Sequence, residues 1–74
     1  MRVWIMRHGQ AAAQAATDAE RALTVAGETE VRLMASLLEG QSLDGILASP
    51  YVRAQQTAAL VRSQIGFERA IATA

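Results

Sequence analysis

Ile46-Leu47-Ala48-Ser49-Pro50-Tyr51-Val52-Arg53-Ala54 is the stretch from which the fold is read. Its opening residues end the run Leu43-Asp44-Gly45-Ile46-Leu47-Ala48, a short apolar segment after a turn, which predicts a strand. Ser49-Pro50 then predicts a helix start, with Ser as N-cap and Pro at the first helical position, where a missing N–H leaves nothing unsatisfied. Ala54, Ala58, Val61 and Ile65 line up on one helical face, and Gly66 ends the helix. Working toward the N-terminus, Thr24 predicts the cap of an earlier helix with an apolar stripe of Val31, Met34, Leu37 and Leu38, closed by Gly40. Gly9 to Ala22 is Ala-rich without a steady period and predicts a loop with one turn at most. Val3-Trp4-Ile5-Met6 is a continuous apolar run, the pattern of a strand buried on both faces. The order strand, helix, strand, helix is that of an α/β architecture with parallel strands joined by crossovers.

Phe67 to Ala74 leaves room for one more short strand. Two or three strands with two helices leave sheet edges unpaired and faces uncovered, and a chain of 74 residues buries only roughly 60% of its unfolded surface. Residues 1–74 are therefore expected to be one incomplete domain, the N-terminal part of a larger fold.

Composition narrows the function. Half the residues, 51%, are hydrophobic and only 19% are charged, which excludes an intrinsically disordered segment. Seven basic and seven acidic residues cancel, so no positive field draws in nucleic acid or an anionic membrane. With no cysteine there is no disulfide framework or thiolate chemistry, and a lone histidine argues against a zinc site. Only four apolar residues separate Arg2 from Arg7, far short of a signal sequence or a membrane span. The expectation is a soluble, cytoplasmic protein that binds neither nucleic acid nor membrane.

In open parallel sheets ligands bind beyond the carboxyl ends of the strands. The first predicted strand runs into Arg7-His8-Gly9, and the second into a helix whose first turn carries Arg53. The helix N-terminus favours an anion through its unpaired amides, and two planar guanidinium forks favour a phosphoryl group. His8 stands between these donors, and a neutral imidazole is a competent nucleophile toward phosphorus. Gly9 has no Cβ to keep the backbone away from a bound phosphate.

Arg7-His8-Gly9 after an apolar strand, Leu23-Thr24-x-x-Gly27 at a helix start, and Ser49-Pro50-Tyr51-x-Arg53-Ala54-x-Gln56-Thr57-Ala58 after a second strand occur in this order. Together they resemble the histidine phosphatase (phosphoglycerate-mutase-like) superfamily. Asp18-x-x-Arg21-x-Leu23-Thr24 after a short loop is similar to its compact SixA-type phosphohistidine phosphatases. The resemblance implies the N-terminal part of a three-layer α/β/α fold with a mostly parallel sheet. It implies a phosphatase with His8 as the phosphoryl-accepting nucleophile, Arg7 and Arg53 as the phosphate clamp, and Gly9 and Arg21 as further substrate contacts. The reaction it implies uses no metal or organic cofactor. The implied partner is a protein carrying phosphohistidine, with a small phosphate ester as the alternative substrate. Family members use a second histidine late in the chain, whereas no histidine follows His8 here, and Glu28, Glu30, Glu39 and Glu68 match no family acid motif. By the resemblance, the chain carries the nucleophile half of a site. The alternative expectation is a non-catalytic phosphate-binding or interaction module.

Overall fold

The computed structural model describes residues 4–74. A short 3₁₀ turn at Asp18–Glu20 precedes helix α1 (Val25–Ser36), strand β1 (Leu47–Ala48), helix α2 (Val52–Ile65) and strand β2 (Ala72–Thr73). The two strands pair in parallel, with Leu47 opposite Ala72 and Ala48 opposite Thr73, so β1, α2 and β2 form a strand–helix–strand crossover. The short strand expected after Phe67 is β2, and the loop expected from Gly9 to Ala22 contains the single 3₁₀ turn.

Helix α1 begins where its cap chemistry places it. Thr24 is extended, and its hydroxyl accepts the Gly27 N–H at 3.0 Å. The helix ends at Ser36, short of the Gly40 expected to close it, because the amides of Leu37, Leu38 and Glu39 bond three residues back in turns; Gly40 follows with a φ of 84°, in the left-handed region. The buried stripe differs from the expected one: Val31, Ala35 and Leu38 are buried, while Met34 and Leu37 are exposed. Leu23 and Val61 join the buried face in one cluster, against which Met6, Leu60 and Ile65 pack. With the core on that side, Met34 and Leu37 turn toward a groove of about 550 Å³ that also has Trp4, Ile5 and Met6 on its walls.

Helix α2 starts two residues later than Ser49-Pro50 suggested. The first carbonyl to accept helical hydrogen bonds is that of Tyr51, from the amides of Ala54 and Gln55 at 3.0 Å each, so Tyr51 is the N-cap and Pro50 lies outside the helix. Ser49 instead makes a turn ahead of the cap, its hydroxyl accepting the Tyr51 N–H at 3.2 Å. Ala58 and Val61 are buried as expected, Thr57 joins them, and Ala54 and Ile65 are half-buried. Gly66 ends the helix at φ 71°, and the Phe67 N–H reaches back to the Arg62 carbonyl at 3.0 Å.

The first expected strand is the main correction. Val3 lies outside the described residues, and Trp4 to Met6 form no strand. Extended backbone becomes a strand only through ladder hydrogen bonds. Among the described residues none joins this segment to a neighbour, and Ile5 is 93% exposed. Among the described residues, too, no helix is long and apolar enough to cross a membrane.

Candidate functional site

Two glycines determine where His8 stands. A Cβ on Gly9 would lie 2.3 Å from the Gly27 carbonyl oxygen, and one on Gly27 would lie 2.1 Å from the Gln10 carbonyl oxygen. Backbone therefore meets backbone where residues 9–10 cross the first turn of α1, an approach open only to glycine. Hydrogen bonds hold the crossing: the Thr24 N–H donates to the Gln10 carbonyl at 2.8 Å, and the Ala12 N–H to the Ala22 carbonyl at 2.7 Å. The closest constraint on Gly9 is thus its contact with α1, a role distinct from the phosphate approach expected for it.

Arg53 arrives from the other side, as the second residue of α2. Its guanidinium lies 4.6 Å from the centre of the Tyr51 ring, and its side chain is only 12% exposed. Gln56, one turn further along, accepts the Leu23 N–H at 2.7 Å through Oε1 and so ties α2 to the segment entering α1. The helix start and the His8 segment are thereby held as one unit.

The structure brings His8 and Arg53 into direct contact: Arg53 Nε donates to His8 Nε2 at 3.2 Å. On the opposite edge of the ring, Nδ1 lies 2.7 Å from the Gly9 carbonyl oxygen. A carbonyl only accepts and a guanidinium N–H only donates, so the two bonds together require a neutral ring with the proton on Nδ1 and the lone pair on Nε2.

Arg21 joins the same cluster through Asp18. Its NH1 donates to Asp18 Oδ1 at 2.8 Å and its Nε to the Ala12 carbonyl at 2.7 Å. Arg53 reaches the same residue, donating from NH1 to the Asp18 backbone carbonyl at 2.7 Å and from NH2 to Oδ2 at 3.2 Å. Hydrogen bonds from Arg21 first, then from Arg53, hold the Asp18 carboxyl below the usual carboxylate range. The sign follows directly: the contribution of this carboxylate to stability is present above the ordinary carboxylate value and is lost as pH falls through the lowered one.

Arg7 is placed differently. It is exposed, lines the groove beside His8, and among the described residues makes no hydrogen bond or ion pair. The residues that sequence reasoning left without a role are Asp18 and Gln56. Asp18 carries one available signal, an acid three residues before Arg21 in a turn-forming segment, the spacing of a local ion pair. Gln56 stands within the motif after the second strand, but its contact could not be read from it, because its partner lies 33 residues away in sequence.

The family model described as the histidine phosphatase superfamily (branch 1) matches residues 3–73. Phosphohistidine phosphatase SixA of Escherichia coli (strain K12) is 52% identical over 59 residues, covering 77% of this chain and 37% of that protein. The SixA homolog of Haemophilus influenzae (strain ATCC 51907 / DSM 11121 / KW20 / Rd) is 45% identical over 64 residues, covering 77% of this chain and 39% of the relative. The structure of the protein histidine phosphatase SixA complexed with tungstate superposes with a TM-score of 0.86 at 41% identity, over 93% of this chain and 46% of that one. The chain thus spans about four-tenths of the length of the curated relatives it matches.

Proposed function

The chain belongs to the histidine phosphatase superfamily, and from that premise we propose that it carries the nucleophile half of a phosphohistidine phosphatase site. The observation that carries this reading is the contact between Arg53 Nε and a His8 ring whose other nitrogen is held by the Gly9 carbonyl. One edge of the imidazole is fixed by backbone, and the other presents a lone pair beside a guanidinium. That is the arrangement a nucleophile toward phosphorus requires, with a cation where oxyanion charge develops.

The chemistry proceeds in two displacements. The phosphoryl group enters, and the Arg53 Nε–H passes its hydrogen bond from Nε2 to a phosphoryl oxygen, which frees the lone pair. Nε2 then forms a bond to phosphorus as the bond from phosphorus to the leaving atom breaks, the leaving atom takes a proton from solvent water, and the ring keeps its Nδ1 proton on the Gly9 carbonyl. Water attacks the phospho-His8 intermediate, the Nε2–P bond breaks, and inorganic phosphate leaves with the ring neutral again. Arg53 bears on the phosphoryl oxygens from the start of α2, Arg21 from the loop ahead of α1, Arg7 from the groove side, and Gly9 borders the nucleophile. The substrate class is a protein bearing phosphohistidine. This assignment is supported by the relatives, a phosphohistidine phosphatase and a homolog of it, and small phosphate esters are the alternative.

The test is intact mass spectrometry and ³¹P NMR after incubation with a phosphohistidine-bearing protein. Uptake of one phosphoryl group at His8, absent in His8→Ala, is the expected result; equal uptake by His8→Ala would overturn the assignment. A small ester supplied in place of the protein separates the two substrate classes. The second reading, carried over from the sequence, is a phosphate-binding or interaction module without turnover. Phosphate binding with no phospho-His8 under any donor selects that reading.

A further inference from the structure

We propose that Asp18 is a positioning residue of this site: its one carboxylate joins Arg21 to Arg53 and thereby aims Arg53 Nε at His8 Nε2. The proposal rests on the reading of His8 and Arg53 as a phosphoryl site and adds to it the residue that prepares them.

The bonds form a continuous chain anchored in backbone at both ends. The Ala12 carbonyl accepts from Arg21 Nε, Arg21 NH1 donates to Asp18 Oδ1, Asp18 Oδ2 accepts from Arg53 NH2, and Arg53 Nε donates to His8 Nε2, whose Nδ1 meets the Gly9 carbonyl. A further bond, from Arg53 NH1 to the Asp18 backbone carbonyl at 2.7 Å, fixes the plane of the guanidinium. Each guanidinium nitrogen of Arg53 thus has its own acceptor, and two of the three acceptors belong to Asp18.

Two guanidinium groups directed at one place repel each other, and a carboxylate between them removes that repulsion. One carboxylate for two arginines still leaves a net positive charge for an incoming anion. An isolated surface ion pair contributes little because both side chains give up their freedom to make it. Arg53 is different: it is nearly buried, stacked on Tyr51 and committed to His8, so its orientation is the quantity that Asp18 governs.

NMR of the ¹⁵N-labelled 74-residue chain reads this orientation without any substrate. In Asp18→Asn the Arg53 Nε–H exchanges with water about tenfold faster, the size expected from losing a charge-assisted hydrogen bond. The His8 Nε2 resonance moves toward that of an imidazole with no donor. Arg21→Gln leaves the carboxylate in place but removes its Oδ1 partner, and the same signals move in the same direction by less. Backbone amides of Val31 and Val61 report whether the core is intact, and if Asp18→Asn fails to fold, Arg21→Gln alone decides. Unchanged Arg53 exchange and an unchanged His8 resonance in folded variants overturn the proposal. A parallel titration of the wild-type chain with inorganic phosphate keeps the two claims apart: phosphate that leaves His8 unmoved counts against the phosphoryl site, while the Arg53 signals still judge Asp18.

Discussion

At the scale of single residues, the site depends on what each nitrogen can donate or accept. His8 has one nitrogen facing a carbonyl and the other facing a guanidinium, and this permits only one arrangement of its proton. Arg53 meets His8 through Nε, the place in the side chain where a lysine has a methylene and no donor. Arg53→Lys is therefore expected to keep the charge and lose the function: phosphoryl uptake at His8 falls by about 10²- to 10³-fold, the usual cost of removing one oriented donor from a developing oxyanion. Rapid-quench measurement of phospho-His8 formation checks this, and a lysine variant within threefold of wild type, against that expectation from the donor geometry, would show that charge alone suffices. His8 and Arg53 stand out in the sequence because each follows an apolar run at a predicted strand end, and the structure brings them into contact. Asp18 acquires its role only when residues 18 and 53 are brought within 3.2 Å.

At the scale of elements, the segment carrying His8 is coupled to the start of α1 by the contact of Gly9 with Gly27. A glycine in the first turn of a helix is ordinarily replaced by alanine with a gain of about 0.5–1 kcal/mol. Here the sign reverses, because the added methyl group at Gly27 would come within 2.1 Å of the Gln10 carbonyl oxygen. Gly27→Ala is expected to destabilise the chain by about 1–3 kcal/mol, as overpacking does, measured as the fall in the urea midpoint. It is also expected to displace the His8 ring resonances, since the crossing that places them is pushed apart. The start of α2 makes a complementary point. Ser49-Pro50 signals a helix nearby, yet the helix begins at Val52 because Tyr51 supplies the first accepting carbonyl and Ser49 is occupied in the turn. Composition marks a boundary to within a turn, and the hydrogen bonds then choose the residue.

At the scale of the whole molecule, packing against α2 separates the apolar residues of α1 and the turn after it into buried and exposed ones. Val31 is 2% exposed within the cluster shared with α2, whereas Leu37 is 69% exposed on the groove side. Val31→Ala is expected to cost about 1–3 kcal/mol through lost burial and the cavity left behind. Leu37→Gln is expected to stay within about 0.5 kcal/mol of wild type, as exposed positions do. Paired urea titrations check the contrast, and equal losses at the two positions would show that the stripe read from periodicity is the buried one after all. Periodicity identified α1 as a helix with apolar residues at helical spacing, but several of those residues compete for one core. The position of α2 decides that Val31, Ala35 and Leu38 enter it and that Met34 and Leu37 do not. Neighbours along the chain are enough to specify the two helices, the Gly66 end of α2, the Thr24 cap and the parallel α/β order of the second half. Only the tertiary structure decided what depends on segments far apart: that Trp4 to Met6 find no ladder partner among the described residues, that Gly9 packs on Gly27, and that Asp18 links Arg21 to Arg53 beside His8. The physical reason is that local signals record backbone preferences within a few residues, whereas a hydrogen bond across 35 or 45 positions exists only once packing has brought its ends together.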